Sequence, residues 1–225
     1  MPNWCNNNLY IYHSDSSMIE RAVKAWNRGK FLHEFIPVPA ELIETTAGFF
    51  GDEEKQKELA KKQQDNLDKY GYANWYDFCV EEWGTKWDIG KREYEEELIL
   101  DNANSFHVSF ESAWSPPVNA YTKLESMGFE IKAYYYEPGV GFCGAYMHNE
   151  DSEFSTQDLG KIPLAIRNVF GLDDNEDEEE MDPPEMLIFP NPPVDEVVDP
   201  ETEIPTMFAD IETAPVEEIY PIGNP

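Results

Sequence analysis

Glu111 and Glu137 are the two carboxylates that stand in the most distinctive stretches of this chain. A pair of carboxylates can divide the work of general acid and base if the fold brings them within reach of one substrate atom. Sequence does not bring these two together, and any chain this acidic offers such pairs. Cys143 follows Phe142 in an apolar, alternating stretch. A nucleophilic thiol needs a neighbouring base and a lowered pKa, and this setting predicts a buried, inert one. The histidines at 13, 33, 107 and 148 and the cysteines at 5, 79 and 143 show no C-x-x-C or H-x-x-x-H spacing. No catalytic set, metal site or cofactor is read from them.

A binding site is the remaining candidate. Trp83, Trp87, Trp114 and Phe142 are large aromatics in these same stretches, with Lys86, His107, Glu111 and Glu137 close by in sequence. Glycines at 84, 139, 141 and 144 would let backbones approach closely. The set reads either as a concave aromatic pocket with a few polar groups or as a tryptophan-rich core that anchors a helical insertion. The run Gly139-Val140-Gly141-Phe142-Cys143-Gly144-Ala145-Tyr146 faintly echoes the aromatic strand with which RRM domains stack RNA bases. That strand opens with a basic residue, and here the position is Pro138.

The elements that must position these residues show mixed periodicity. Residues 8–13 alternate like a strand, and Asp15, Ser16 and Ser17 offer caps for a helix whose apolar stripe is Ile19, Ala22, Val23 and Trp26. Phe31 to Ile36 reads as a short strand closed by Pro37. Residues 52–83 read as an inserted helical pair. Asp52 caps the first helix and Gly71 ends it; Asn74 caps the second, which carries Trp75, Phe78, Cys79 and Trp83 on one face. Strands are expected at Glu93–Leu100 and Ser105–Glu111, the latter with Phe106, Val108 and Phe110 on one side and Ser105, His107, Ser109 and Glu111 on the other. Ser115 is expected to cap a helix through Val118, Tyr121, Leu124 and Met127. A strand follows from Phe129, then a type II turn at Glu137-Pro138-Gly139-Val140, a strand over Phe142–Met147 and a short helix over 162–170. The fold class is therefore α+β. Its expected form is a ferredoxin-like antiparallel sheet with helices on one face and a helical insertion, filling residues 1–170.

Composition changes at Gly171. Residues 171–225 hold 18 acidic residues, no Lys or Arg, and ten of the 17 prolines. Such a segment repels itself and buries too little apolar surface to offset its ordering entropy, which predicts a disordered acidic tail. The whole chain has 46 acidic and 16 basic residues, net -30. That charge repels phosphate and anionic lipid, so direct nucleic-acid and membrane binding are not expected, and a partner with a basic surface is. Odd, scattered cysteines, no signal-peptide-like opening and no apolar run near the ~18 residues of a membrane span point to a soluble cytoplasmic protein.

Three segments carry a family resemblance: Pro2-Asn3-Trp4-Cys5-Asn6-Asn7, then Trp75-Tyr76-Asp77 with Glu82-Trp83-Gly84-Thr85-Lys86-Trp87, then Ala113-Trp114-Ser115-Pro116-Pro117 with Tyr136-Glu137-Pro138-Gly139 and Gly141-Phe142-Cys143-Gly144. Over about residues 1–148 the chain resembles the YubB-like family of bacteriophage and conjugative-plasmid proteins. The resemblance implies a ferredoxin-like domain and a bacterial host cell, and supplies no reaction. Taken with the charge, it suggests a non-enzymatic accessory protein that binds a host or defence protein in the manner of a DNA mimic. The alternative is a small-ligand or nucleotide-derivative binder that uses the tryptophan-rich cleft.

Overall fold

The computed structural model describes residues 3–48, 51–92 and 98–172. Its centre is strand β1 (Trp4–His13), in which Cys5, Asn7, Leu9, Ile11 and His13 are buried on one face while Trp4, Asn6, Asn8, Tyr10 and Tyr12 turn to the other. The period of two that makes a half-buried strand is thus realised over its full length. β3 (Ser105–Ala113) and β4 (Phe129–Glu137) pair with β1 on either side. β2 (Ile99–Asn102) extends the sheet beyond β3, and β5 (Phe142–Met147) and β6 (Glu150–Ser155) extend it beyond β4. The order is β2-β3-β1-β4-β5-β6, and every pairing is antiparallel. Its first four strands, with helices after β1 and β3, are compatible with the ferredoxin-like layout.

Helix α1 (Ser16–Asn27) starts where the Asp15 carboxylate accepts the Ser17 N–H at 2.9 Å, and it buries Ile19, Ala22, Val23 and Trp26. Burial of a side chain such as Ile19 stabilises by about 1.5–3 kcal/mol. Residues 31–36 depart from the expected strand and form helix α2 (Phe31–Phe35). The cause is remote in sequence. The Asp88 carboxylate accepts the N–H groups of Leu32 at 2.6 Å and His33 at 3.1 Å, which would otherwise be orphaned at the helix start. Phe31 with Phe35, and Leu32 with Ile36, then share faces at the i,i+4 spacing.

A short helix α3 (Ala40–Ile43) leads to α4 (Glu53–Tyr70) and α5 (Trp75–Trp83). Asp52 caps α4 and Asn74 caps α5, as expected, and Gly71 ends α4 in the left-handed conformation. α4 buries only Asn66, so it is a surface helix; α5 buries Phe78, Cys79 and Trp83. Helix α6 (Val118–Ser126) lays Tyr121 and Leu124 on the sheet. One contiguous core joins the inward face of β1, β3 and β4 to α1, α2, α3, α5 and α6.

Helices do not keep to one face. Helix α7 (Leu164–Phe170) places Ile166 with Tyr134, Cys143 and Ala145 in a second, smaller cluster on the opposite face of β4 and β5. β6 was absent from the sequence reading because its turn, His148-Asn149, carries no glycine. Both residues adopt left-handed angles, φ 56° and 59°, as a two-residue hairpin turn requires. The β4–β5 turn also differs from expectation. Gly141, at φ 88°, takes the left-handed position, whereas a type II turn would have placed it at Gly139. Of the strand expected over 93–100, residues 93–97 lie outside the described residues, and β2 begins at Ile99. The tail expected to be disordered likewise lies outside them from residue 173 onward. Among the described residues, no helix is long and apolar enough to cross a membrane.

Candidate functional site

The segments singled out in sequence meet at one end of the sheet. The Trp114 N–H donates to the Asn3 carbonyl at 2.9 Å. The Thr85 hydroxyl donates to the Ala113 carbonyl at 2.9 Å, and the Ser115 hydroxyl to the Gly84 carbonyl at 2.5 Å. Ser115 therefore does not cap α6, as its position suggested; Pro117 occupies the cap position and Ser115 fastens the loop after α5. The Trp87 ring lies 5.8 Å from that of Trp4, and the β4–β5 turn abuts Asn3 at Gly139.

The eight candidate residues divide into four groups. Lys86, Trp87 and Trp114 form an aromatic–cation cluster. The Lys86 Nζ lies 4.8 Å from the centre of a Trp87 ring and 5.0 Å from one of Trp114, with Tyr76 at 6.0 Å. Trp114 remains 40% exposed and has φ 72°, which a bulky side chain adopts only under constraint. Trp83 is fully buried, and its indole N–H donates to the Ile36 carbonyl at 3.0 Å. It belongs to the core and lines no surface.

Glu137 and Phe142 flank the β4–β5 turn. The buried Glu137 carboxylate accepts the N–H of Gly139 at 2.8 Å and that of Val140 at 2.5 Å. Phe142 is half-buried against Tyr135. His107 and Glu111 point away from the helical core. His107 stacks on Tyr10 at 5.5 Å and pairs with Asp101 at 2.7 Å, and exposed Glu111 lies across from Asn6. Glu111 and Glu137 thus project from opposite faces of the sheet and cannot share a substrate atom.

The three thiols are buried and free. Burial, with help from Glu137, pushes Cys5 up to about 12, and burial also raises Cys79 and Cys143. None of them is a ready nucleophile at neutral pH. Among the described residues, no group of three or more His, Cys, Asp or Glu side chains is placed to hold a metal ion.

Beside the aromatic–cation cluster lies an open depression of roughly 590 Å³, where α4 ends and α5 begins. Its walls include Tyr70, Tyr72, Tyr76, Asp77 and Glu81. Tyr76 belongs to both features, its ring standing 6.1 Å from that of Trp114 at 79°. The sequence reading missed this depression. Its signal was three tyrosines within seven residues, gathered around the Gly71 helix stop.

No family model matches the chain, and no curated protein matches it. A solved crystal structure, that of protein api92 from Yersinia pseudotuberculosis (family-model DUF1281), is similar at 13% identity. The match covers 69% of this chain and 98% of that one, with a TM-score of 0.35. At that score the likeness carries no argument about fold or function.

Proposed function

We propose that this chain is a non-enzymatic accessory protein of a phage or conjugative plasmid, and that it binds a host or defence protein with a basic surface in the bacterial cytoplasm. One observation carries the reading: 46 acidic residues face 16 basic ones. Several of those cations are already engaged within the fold. Arg21 and Arg28 pair with Glu34, Lys69 with Glu41 and Lys161 with Asp158; Lys24 pairs with Glu20 and Lys123 with Glu82. The outward field is therefore negative and suits a cationic groove built for DNA. Eighteen of the 46 carboxylates fall in residues 171–225, where no Lys or Arg accompanies them. The family-like segments support the phage or plasmid setting.

Capture of partners from host lysate by the full chain, at about 0.1 M and about 0.5 M salt, tests the proposal. Basic proteins that bind at the lower salt and are lost at the higher are expected. A partner set that is neither basic nor salt-sensitive would refute it. The small-ligand alternative has less support. Trp83 cannot line a cleft, and the depression beside Tyr76 carries carboxylates that repel a phosphate-bearing ligand.

A further inference from the structure

We infer that the depression between α4 and α5 receives an arginine side chain of the protein partner, an inference that rests on the basic-partner reading above. Three features of the depression converge on a guanidinium. The first is its aromatic wall. Tyr70, Tyr72 and Tyr76 present rings, and two of them are held in place by their hydroxyls, Tyr70 donating to Glu41 at 2.8 Å and Tyr72 to Glu82. Fixed rings can stack on a planar cation without losing further rotamer freedom.

The second feature is charge. Asp77 and Glu81 are exposed at the rim, one turn apart on α5. Asp77 accepts one hydrogen bond from Asn74 at 2.9 Å, and neither carboxylate is paired with a cation among the described residues. The cations nearest in sequence, Lys69 and Lys86, have partners other than these two carboxylates: Lys69 pairs with Glu41 at 2.7 Å and covers one face of the Tyr70 ring at 4.7 Å, and Lys86 lies 4.8 Å from a Trp87 ring and 5.0 Å from one of Trp114. A guanidinium fork fits a carboxylate in two parallel hydrogen bonds, which an ammonium cannot copy.

The third feature is the backbone. α4 runs 18 residues and ends at Tyr70-Gly71, on the wall of the depression, so its negative pole adds to the attraction for a cation. Val80, 37% exposed, provides an apolar patch for the methylene stem of the arginine. The same chemistry already operates next door: Lys86 sits over Tyr76, Trp87 and Trp114. Trp114, 40% exposed and edge-on to Tyr76, is of a residue type enriched among interface anchors.

The test uses the full chain labelled for amide NMR and two short peptides, one with a central arginine and one with the neutral isostere citrulline. The arginine peptide is expected to shift the amide signals of Gly71, Tyr72, Asp77, Val80 and Glu81 saturably. The citrulline peptide is expected to leave them in place. Glu81→Gln should weaken the arginine peptide about fivefold, the upper range for one exposed ion pair, and Glu111→Gln on the far sheet face should leave it unchanged. Absence of the shifts, equal shifts with citrulline, or equal weakening by Glu111→Gln would each overturn the inference. None of these results touches the salt-dependent capture experiment, which alone decides whether a basic partner exists.

Discussion

The Tyr135 ring lies across Gly144, its partner on β5, so that the Tyr135 hydroxyl reaches β6 and donates to Asp151 at 2.7 Å. One side chain thus ties three strands of the sheet, and it passes over the only residue type that leaves room for it. A Cβ on Gly144 would overlap the Tyr135 phenol and the Ser152 carbonyl. Because the second contact is backbone, it cannot yield by rotation. Gly144→Ala is expected to cost about 1–3 kcal/mol or more, read by chemical denaturation. A stability equal to wild type would mean that Tyr135 does not pack over this glycine.

The tryptophans separate by burial. Trp83→Ala empties a fully buried volume and leaves the Ile36 carbonyl without its donor, so a loss of about 3–5 kcal/mol is expected. Trp114→Ala removes a side chain that is 40% exposed, and a loss near 1 kcal/mol is expected. Denaturation curves of the two variants side by side check the assignment; similar losses would put Trp114 in the core.

Asp88 makes stability depend on pH. Burial raises its carboxyl to about 7, against the pull of the N–H groups of Leu32, His33 and Ile89. A carboxyl whose folded pKa exceeds its unfolded value stabilises fully below the unfolded value and loses that contribution as pH rises through the folded one. From about pH 4 to about pH 7 the wild type should therefore lose stability relative to Asp88→Asn, by about 2–4 kcal/mol. Unfolding free energies of both proteins at pH 5 and pH 8 check the sign. A difference that runs the other way would show that the three donors outweigh burial.

Glu137 holds a turn rather than a reaction. Glu137→Ala leaves the Gly139 and Val140 N–H groups without their acceptor and should cost about 1–3 kcal/mol. Glu137→Gln keeps one acceptor oxygen and should cost less. Thermal denaturation of both variants distinguishes this from a chemical role, which would leave stability untouched.

Much of the local structure was legible in the chain itself. Asp15, Asp52 and Asn74 cap helices from positions two or three residues away, and Gly71 ends one through its own backbone freedom. The alternation of β1, β3 and β4 records which face is buried. These signals are short-range, so a one-dimensional reading captures them.

What required the tertiary structure was every decision made across distance. Residues 31–36 became a helix because Asp88, more than fifty positions later, supplies the acceptor that its first N–H groups need. Trp83 and Trp114 carry the same ring, yet one fills the core and the other faces solvent, since only packing assigns a side chain to a side. Glu111 and Glu137 parted onto opposite faces because strand registers, not sequence neighbourhood, place them. The tyrosine-walled depression arises where two helices turn against each other, a shape that no single segment encodes. The charge imbalance, by contrast, is a sum over residues and needs no fold to be counted.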